Sequence, residues 1–120
     1  MKSLIVGGSG QFGICLSQIL LKKNHDISIT TRSVSKTKKK LRDLKIKKIK
    51  VLNLNILNKR QILKILKKNY DYIFYFAGQS SPSLSFKKKD QTFESNYIGC
   101  KNFLEGLKIL NLKSKFFNSS

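Results

Sequence analysis

The sequence predicts an α/β fold in which a parallel sheet of about five strands is covered by helices on both faces. Two observations carry that reading. Short runs of β-branched and aromatic residues alternate with segments whose apolar residues recur at helical spacing, and parallel strands need such crossovers. The run YIFYFA (residues 72–77) is almost wholly apolar, as a central strand covered on both faces should be.

Taken in order, SLIV (3–6) is a first strand that a cluster of glycines ends. Phe12, Cys15, Leu16, Ile19 and Leu20 recur at helical spacing and predict a first helix with that stripe turned inward. DISIT (26–30) is a β-branched second strand, and the lysine-laden segment holding Val34, Leu41 and Leu44 makes a weaker second helix. IKVLNL (49–54) is a third strand, followed by an amphipathic helix on Ile62, Leu63, Ile65 and Leu66. After the fourth strand a loop around Pro82 leads to a long helix through Phe93, Cys100, Leu104 and Leu107. KFFNSS (115–120) reads as a fifth strand.

A chain of 120 residues has room for one domain. No apolar run approaches the roughly 20 residues that span a bilayer, and MKSLIVGG is too short for a secretory signal, so a cytoplasmic protein without a membrane partner is expected. Cys15, Cys100 and His25 make no zinc set and no C-x-x-C pair, and both thiols are expected to be reduced and inert.

The net charge of +19 suggests an electrostatic surface for nucleic acid or anionic lipid. Against that, the 22 lysines far outnumber the three arginines and are scattered over several segments. Phosphate readers lean on the arginine fork and concentrate charge on one element. A generally basic surface with no specific nucleic-acid site is the expectation.

The first turn, GGSGQFG, parses as Gly8-x-Gly10-x-x-Gly13 or as Gly7-x-x-Gly10-x-x-Gly13. Glycines there let the backbone turn sharply and approach a pyrophosphate, and the helix starting near Gln11 aims unpaired N–H groups at that anion. Placed after a strand and before a helix, this is the signature of a Rossmann-type dinucleotide site. The end of the second strand selects the dinucleotide. It reads Thr31-Arg32-Ser33 with no acid, which favours NADP over NAD, Arg32 and Ser33 being the phosphate ligands.

GGSGQFG, then DYIFYFAGQSSPSLSF, then TFESNYIGCKNFLEGLKIL and KFFNSS together resemble the extended short-chain dehydrogenase/reductases, specifically the GDP-mannose 4,6-dehydratase-like sugar-nucleotide enzymes. The resemblance runs over essentially the whole chain. It implies that Gly7, Gly10, Gln11, Phe12 and Gly13 hold the pyrophosphate, although the family often has Asp where Phe12 stands. It sets Asn55 and Ile56 beside the adenine, where the family has Asp-Leu; the Asn keeps an acceptor oxygen for the adenine amino group. Phe76, Ala77 and Gly78 would line the cofactor past the fourth strand. Gln79, Ser80 and Ser85 would face the nicotinamide and the sugar nucleotide, and Asn96 would be functionally placed. A sugar nucleotide as partner and a homo-oligomeric parent are also implied.

Tyr97 and Lys101 have the Tyr-x-x-x-Lys spacing of the family's proton-moving pair. In the family that pair follows the fifth strand, whereas here it precedes it. Phe93, Tyr97, Cys100 and Leu104 share one helical stripe, so Tyr97 is expected at the edge of a packed face with Lys101 reaching to water. The catalytic hydroxyl would fall one position beyond Ser120. Residues 1–120 are thus expected to be the N-terminal part of a dinucleotide-binding domain, truncated, with its substrate domain absent, its fifth strand left as an edge, no catalytic residue and no turnover alone. A noncatalytic NADP-binding regulator and a basic nucleic-acid binder are the alternatives.

Overall fold

The computed structural model describes residues 1–7, 11–76 and 86–118, and of these all side chains except those of Gln11, Phe12, Asn118 and residues 86–96. Along the chain lie β1 (Lys2–Val6), α1 (Gln11–Lys22), β2 (Asp26–Thr31), α2 (Val34–Asp43), β3 (Ile49–Asn53), α3 (Lys59–Leu66), β4 (Tyr72–Tyr75), α4 (Phe86–Ile109) and β5 (Lys115–Asn118). The sheet order is β3-β2-β1-β4-β5, and every adjacent pair is parallel. The expected α/β class with five strands holds, and β4 lies inside the sheet between β1 and β5.

Successive residues of a strand point to opposite faces, and both faces of β1 are buried. Leu4 and Val6 join Ile73 and Tyr75 of β4 in a core against Ile62, Ile65 and Leu66 of α3 and Phe103 and Leu107 of α4. Ile5 joins Ile27 and Ile29 of β2 in a second core against Leu20 of α1. Two helical layers with one sheet between them follow from that alternation. Tyr75 meets Phe103 edge-on at 5.8 Å and 69°, a favoured aromatic geometry.

Two helices bury the expected stripe only in part: Leu20 on α1 and Leu107 on α4 are buried, and Leu16 and Cys100 pack half-buried against the cores. Among residues 13–22 of α1 the buried positions are Gly13, Ile14, Ser17 and Leu20, while Cys15 and Ile19 are exposed. Small residues let the helix lie close to the sheet, and the Ser17 hydroxyl is satisfied by donating to the Gly13 carbonyl at 2.7 Å. Among residues 97–109 of α4 the buried positions are Gly99, Asn102, Phe103, Gly106 and Leu107. Leu104 is 50% exposed and Tyr97 64% exposed, so Tyr97 stands out in solvent rather than at the edge of the packed face. Apolar spacing passes over the glycines, of which Gly99 lies against Tyr75 and Ile56 and Gly106 against Leu66 of α3. Leu44, expected on the second helix, lies just past its end at Asp43 and is exposed, while Leu41 and Thr37 are buried.

The helices stop on residues with left-handed backbone: Asn24 (φ 62°), Lys45 (φ 57°), Asn69 (φ 55°) and Asn111 (φ 52°). Past α1, α2 and α4 the next amide closes the turn, from His25 to Leu20, Ile46 to Leu41 and Leu112 to Leu107. Asparagine tolerates this conformation better than most residues, which gives its abundance here a structural use.

Candidate functional site

The chain runs outward from β1 through β2 to β3, then crosses by α3 to the other side of β1. At the carboxyl ends of β1 and β4 the connections therefore diverge. Such a switch point leaves a crevice in which open α/β sheets bind ligands.

Backbone bonds tie the strand ends around this crevice. Gly7 closes β1 with φ 75°, in the left-handed region, and its N–H donates to the Thr30 carbonyl at 3.1 Å. A side chain at that φ would cost roughly 1–2 kcal/mol. The Phe76 N–H donates to the Val6 carbonyl at 2.8 Å, and the Leu54 N–H to the Thr31 carbonyl at 3.1 Å. Because α1 starts at Gln11, its first turn, whose N–H groups have no partner within the helix, stands at this end of the sheet. Gly13 is buried in that turn.

The end of β2 is held by three hydroxyl residues. The Ser33 N–H donates to Thr31 Oγ1 at 3.1 Å; Thr37 Oγ1 lies 3.1 Å from Thr31 Oγ1 and 3.0 Å from the Ser33 carbonyl. One hydroxyl proton cannot serve two bonds. The consistent arrangement has Thr37 donating to the Ser33 carbonyl and accepting from Thr31, which closes a ring. Arg32 projects from this fixed turn into solvent, and its Nη2 donates to Asn55 Oδ1 at 3.5 Å.

The β3–α3 connection is built in the same way. Asn55 Oδ1 accepts from the Leu57 N–H at 3.0 Å, and the Asn55 N–H donates to Gln61 Oε1 at 2.9 Å. Asn58 caps α3 by accepting from the Gln61 N–H at 3.2 Å. The Ile56 carbonyl accepts from Asn102 Nδ2 of α4 at 3.0 Å, while the Ile56 side chain packs on the core. The oxygen that the sequence offers to an adenine amino group is thus engaged by Leu57 and Arg32, and an adenine contact there has to share it.

The structure therefore gathers Gly7, Gly13, Thr31, Arg32, Ser33, Asn55, Ile56 and Phe76 at one end of the sheet. Gly10, Ala77, Gly78, Gln79, Ser80 and Ser85 lie outside the described residues, and of Gln11, Phe12 and Asn96 only the backbone is described, on α1 and α4. Thr37, Gln61 and Asn102 were missed from sequence. Asn58-x-x-Gln61 is a capping-box pattern that could have flagged Gln61; a threonine among lysines gave no such sign.

Lys59 Nζ, in the first turn of α3, pairs with Glu105 of α4 at 3.7 Å. Burial, with Cys100 close by, pushes the Tyr75 hydroxyl well above the ordinary tyrosine value, and burial also raises the Cys100 thiol. Both are thus held in their protonated forms. Among the described residues no group of three or more His, Cys, Asp or Glu could hold a metal, and no helix is long and apolar enough to cross a membrane.

The family model described as GDP-mannose 4,6 dehydratase matches residues 4–120. A UDP-glucose 4-epimerase of Mycoplasma pneumoniae is 30% identical over 120 residues, which are 99% of this chain and 35% of that protein. A UDP-N-acetyl-alpha-D-glucosaminuronate decarboxylase of Bacillus cytotoxicus is 26% identical over 104 residues, 87% of this chain and 32% of that one. The crystal structure of UDP-glucose 4-epimerase from Bifidobacterium longum in complex with NAD+ and UDP matches with TM-score 0.83 at 20% identity, over 100% of this chain and 37% of its own. That of the Stenotrophomonas maltophila enzyme with bound NAD and formylated UDP-arabinopyranose matches with TM-score 0.81 at 22% identity, over 100% and 37%. At these identities the solved structures show the fold. The chain spans about a third of the length of the curated relatives it matches.

Proposed function

The chain belongs to the GDP-mannose 4,6 dehydratase family of extended short-chain dehydrogenase/reductases, and from that premise we propose that residues 1–120 are the NADP(H)-binding portion of a sugar-nucleotide 4,6-dehydratase or epimerase. The observation that carries the cofactor choice is the end of β2, where Arg32 stands on a turn fixed by Thr31, Ser33 and Thr37 with no carboxylate in the turn. A cation there favours a 2′-phosphate; an acid would repel it.

The residues fit a dinucleotide. Gly7, with its left-handed backbone, and the first turn of α1 offer a pyrophosphate close approach and N–H donors. Arg32 and Ser33 would take the adenosine ribose phosphate, and Asn55 and Ile56 would flank the adenine. Phe76, with Ala77 and Gly78, would line the path toward the nicotinamide. Bound there, the dinucleotide supplies hydride transfer to and from a sugar carbon. The protein's part is to hold it in one orientation, and Gln79, Ser80, Ser85 and Asn96 would place the sugar nucleotide against it.

A GDP-mannose-like substrate follows the family description, whereas the names of the relatives point to UDP sugars and, in two solved structures, to NAD. Tyr97 and Lys101 are both exposed on α4, which supports the reading that the 120 residues alone bind the cofactor without turnover. A cytoplasmic setting and a homo-oligomeric parent complete the proposal.

A thermal-shift comparison tests it. NADPH should raise the melting temperature more than NADH at equal concentration, and Arg32→Ala should remove the difference. If neither dinucleotide shifts melting, or if NADH wins with and without Arg32, the assignment of the β2 end is wrong.

A further inference from the structure

We propose that the amino end of the sheet, opposite the crevice, is a surface that docks on an anionic lipid bilayer through lysines of the helix-to-strand connections. The proposal is independent of the cofactor reading. It departs from the expectation of no membrane partner, which rested on the absence of a spanning run; a surface contact needs none.

Every strand of the sheet runs the same way, so all connections from a helix to the next strand arrive at one end, and all connections from a strand to the next helix leave from the other. The two ends differ in charge. The connections at the carboxyl end (residues 7–10, 32–33, 54–58 and 76–85) contain no lysine and one arginine, Arg32. Those at the amino end (23–25, 44–48, 67–71 and 110–114) contain seven lysines, all exposed, against one acid, Asp71. Lysines scattered along the sequence are thus gathered in space.

Helix ends do not account for them. The dipole favours a cation in the last turn of a helix, but the turns after α1, α3 and α4 place asparagine at the left-handed position, whereas the α2–β3 connection has Lys45 (φ 57°) and Lys48 (φ 68°) there. Both lysines hold a conformation that asparagine or glycine adopts with less strain. The amino-end connections also lack arginine, and their one tyrosine, Tyr70, is buried. They therefore offer neither the guanidinium fork that reads base edges nor an exposed tyrosine to stack on a base. What accompanies the ammonium groups is aliphatic: Leu44, and Ile109 at the end of α4, are both exposed. Cations beside exposed aliphatic side chains match anionic headgroups over an acyl boundary. Five strands about 4.8 Å apart spread these connections over roughly 20 Å, enough for several lysines to meet one headgroup plane.

Co-sedimentation of the chain with vesicles tests this. Phosphatidylcholine vesicles with about one-third phosphatidylserine should take the chain down at about 0.1 M salt, phosphatidylcholine alone should not, and about 0.5 M salt should release most of it. A lysine near such a surface strengthens binding about fivefold, so Lys23→Gln, Lys47→Gln and Lys68→Gln together should weaken it by more than about tenfold. Lys36→Gln, Lys39→Gln and Lys101→Gln together remove the same charge from exposed helix positions and should weaken it by less than about threefold, far-UV spectra of both variants matching wild type. Equal losses in the two variants overturn the proposal, because net charge would then be the cause. So does a chain that stays in solution with the anionic vesicles. Binding of a duplex DNA oligonucleotide through the same three lysines, at a salt concentration where the vesicles do not hold the chain, overturns it in favour of nucleic acid.

Discussion

Gly99→Ala should destabilise the chain although alanine is the better helix former. Both Gly99 and Gly106 are buried on α4, and alanine gains about 1 kcal/mol over glycine in a helix interior. The neighbours decide the net effect. A Cβ at Gly99 would press on the Tyr75 hydroxyl, on Ile56 Cδ1 at 2.8 Å and on Ile56 Cβ at 3.0 Å. Neither residue yields easily: Tyr75 is fully buried against Phe103, and the Ile56 backbone is held by Asn102. Overpacking of that kind costs about 1–3 kcal/mol. At Gly106 the near contact is the end of the Leu66 side chain at 2.8 Å, with Leu63 Cδ2 at 3.5 Å and Ile62 Cγ2 at 3.6 Å, and a small rotation relieves it. Because the backbone gain cancels between the two variants, Gly99→Ala should be about 1–2 kcal/mol less stable than Gly106→Ala. Urea unfolding followed by circular dichroism reads the difference. A Gly99→Ala chain as stable as Gly106→Ala would refute the claim that α4 is seated through Gly99.

Thr37→Val keeps the shape of a buried side chain and removes its bonds to Thr31 and Ser33, so it should cost about 1–3 kcal/mol, most of it recovered by Thr37→Ser. The midpoint of urea unfolding checks this, and a valine variant of wild-type stability would dissolve the ring. A third test concerns alkali. Burial raises the Tyr75 hydroxyl in the fold, so below about pH 10 both states keep the proton and stability is unaffected; above it the unfolded chain loses a proton that the fold retains, and stability falls by up to about 1.4 kcal/mol per pH unit. Tyr75→Phe should remove that contribution, seen as a shallower decline of unfolding free energy between about pH 10 and 11 than in wild type.

Strands were legible because both faces of this sheet are covered. The apolar runs of β1 and β4 and the β-branched β2 have no competing reading once helices of helical period separate them. The glycine turn and the acid-free end of β2 were legible as local patterns too. Helix faces were less so. Gly13, Ser17, Gly99 and Gly106 are contact residues because they are small, and a count of apolar positions passes over them in favour of Ile19, Tyr97 and Leu104, which the structure exposes. The polar framework was least legible. Thr37 with Thr31, Gln61 with Asn55 and Asn102 with Ile56 join residues whose spacing has no period, the last pair 46 positions apart.

The first strand of these 120 residues is the one in the middle of the sheet. β1 pairs with β2 at Lys2 and Asp26, but its other edge waits for β4, where Ser3 meets Tyr72 and the Lys2 N–H meets the Asp71 carboxylate 69 residues later. During translation Leu4, Ile5 and Val6 therefore spend most of the synthesis of this segment with an open, apolar edge of the kind that mispairs between chains. Closing so long a loop is slow compared with local helix formation. A nascent chain held on the ribosome before residue 75 would carry a finished β2 and α1 around an unfinished centre, and that is the stage at which a holding chaperone would have most to bind.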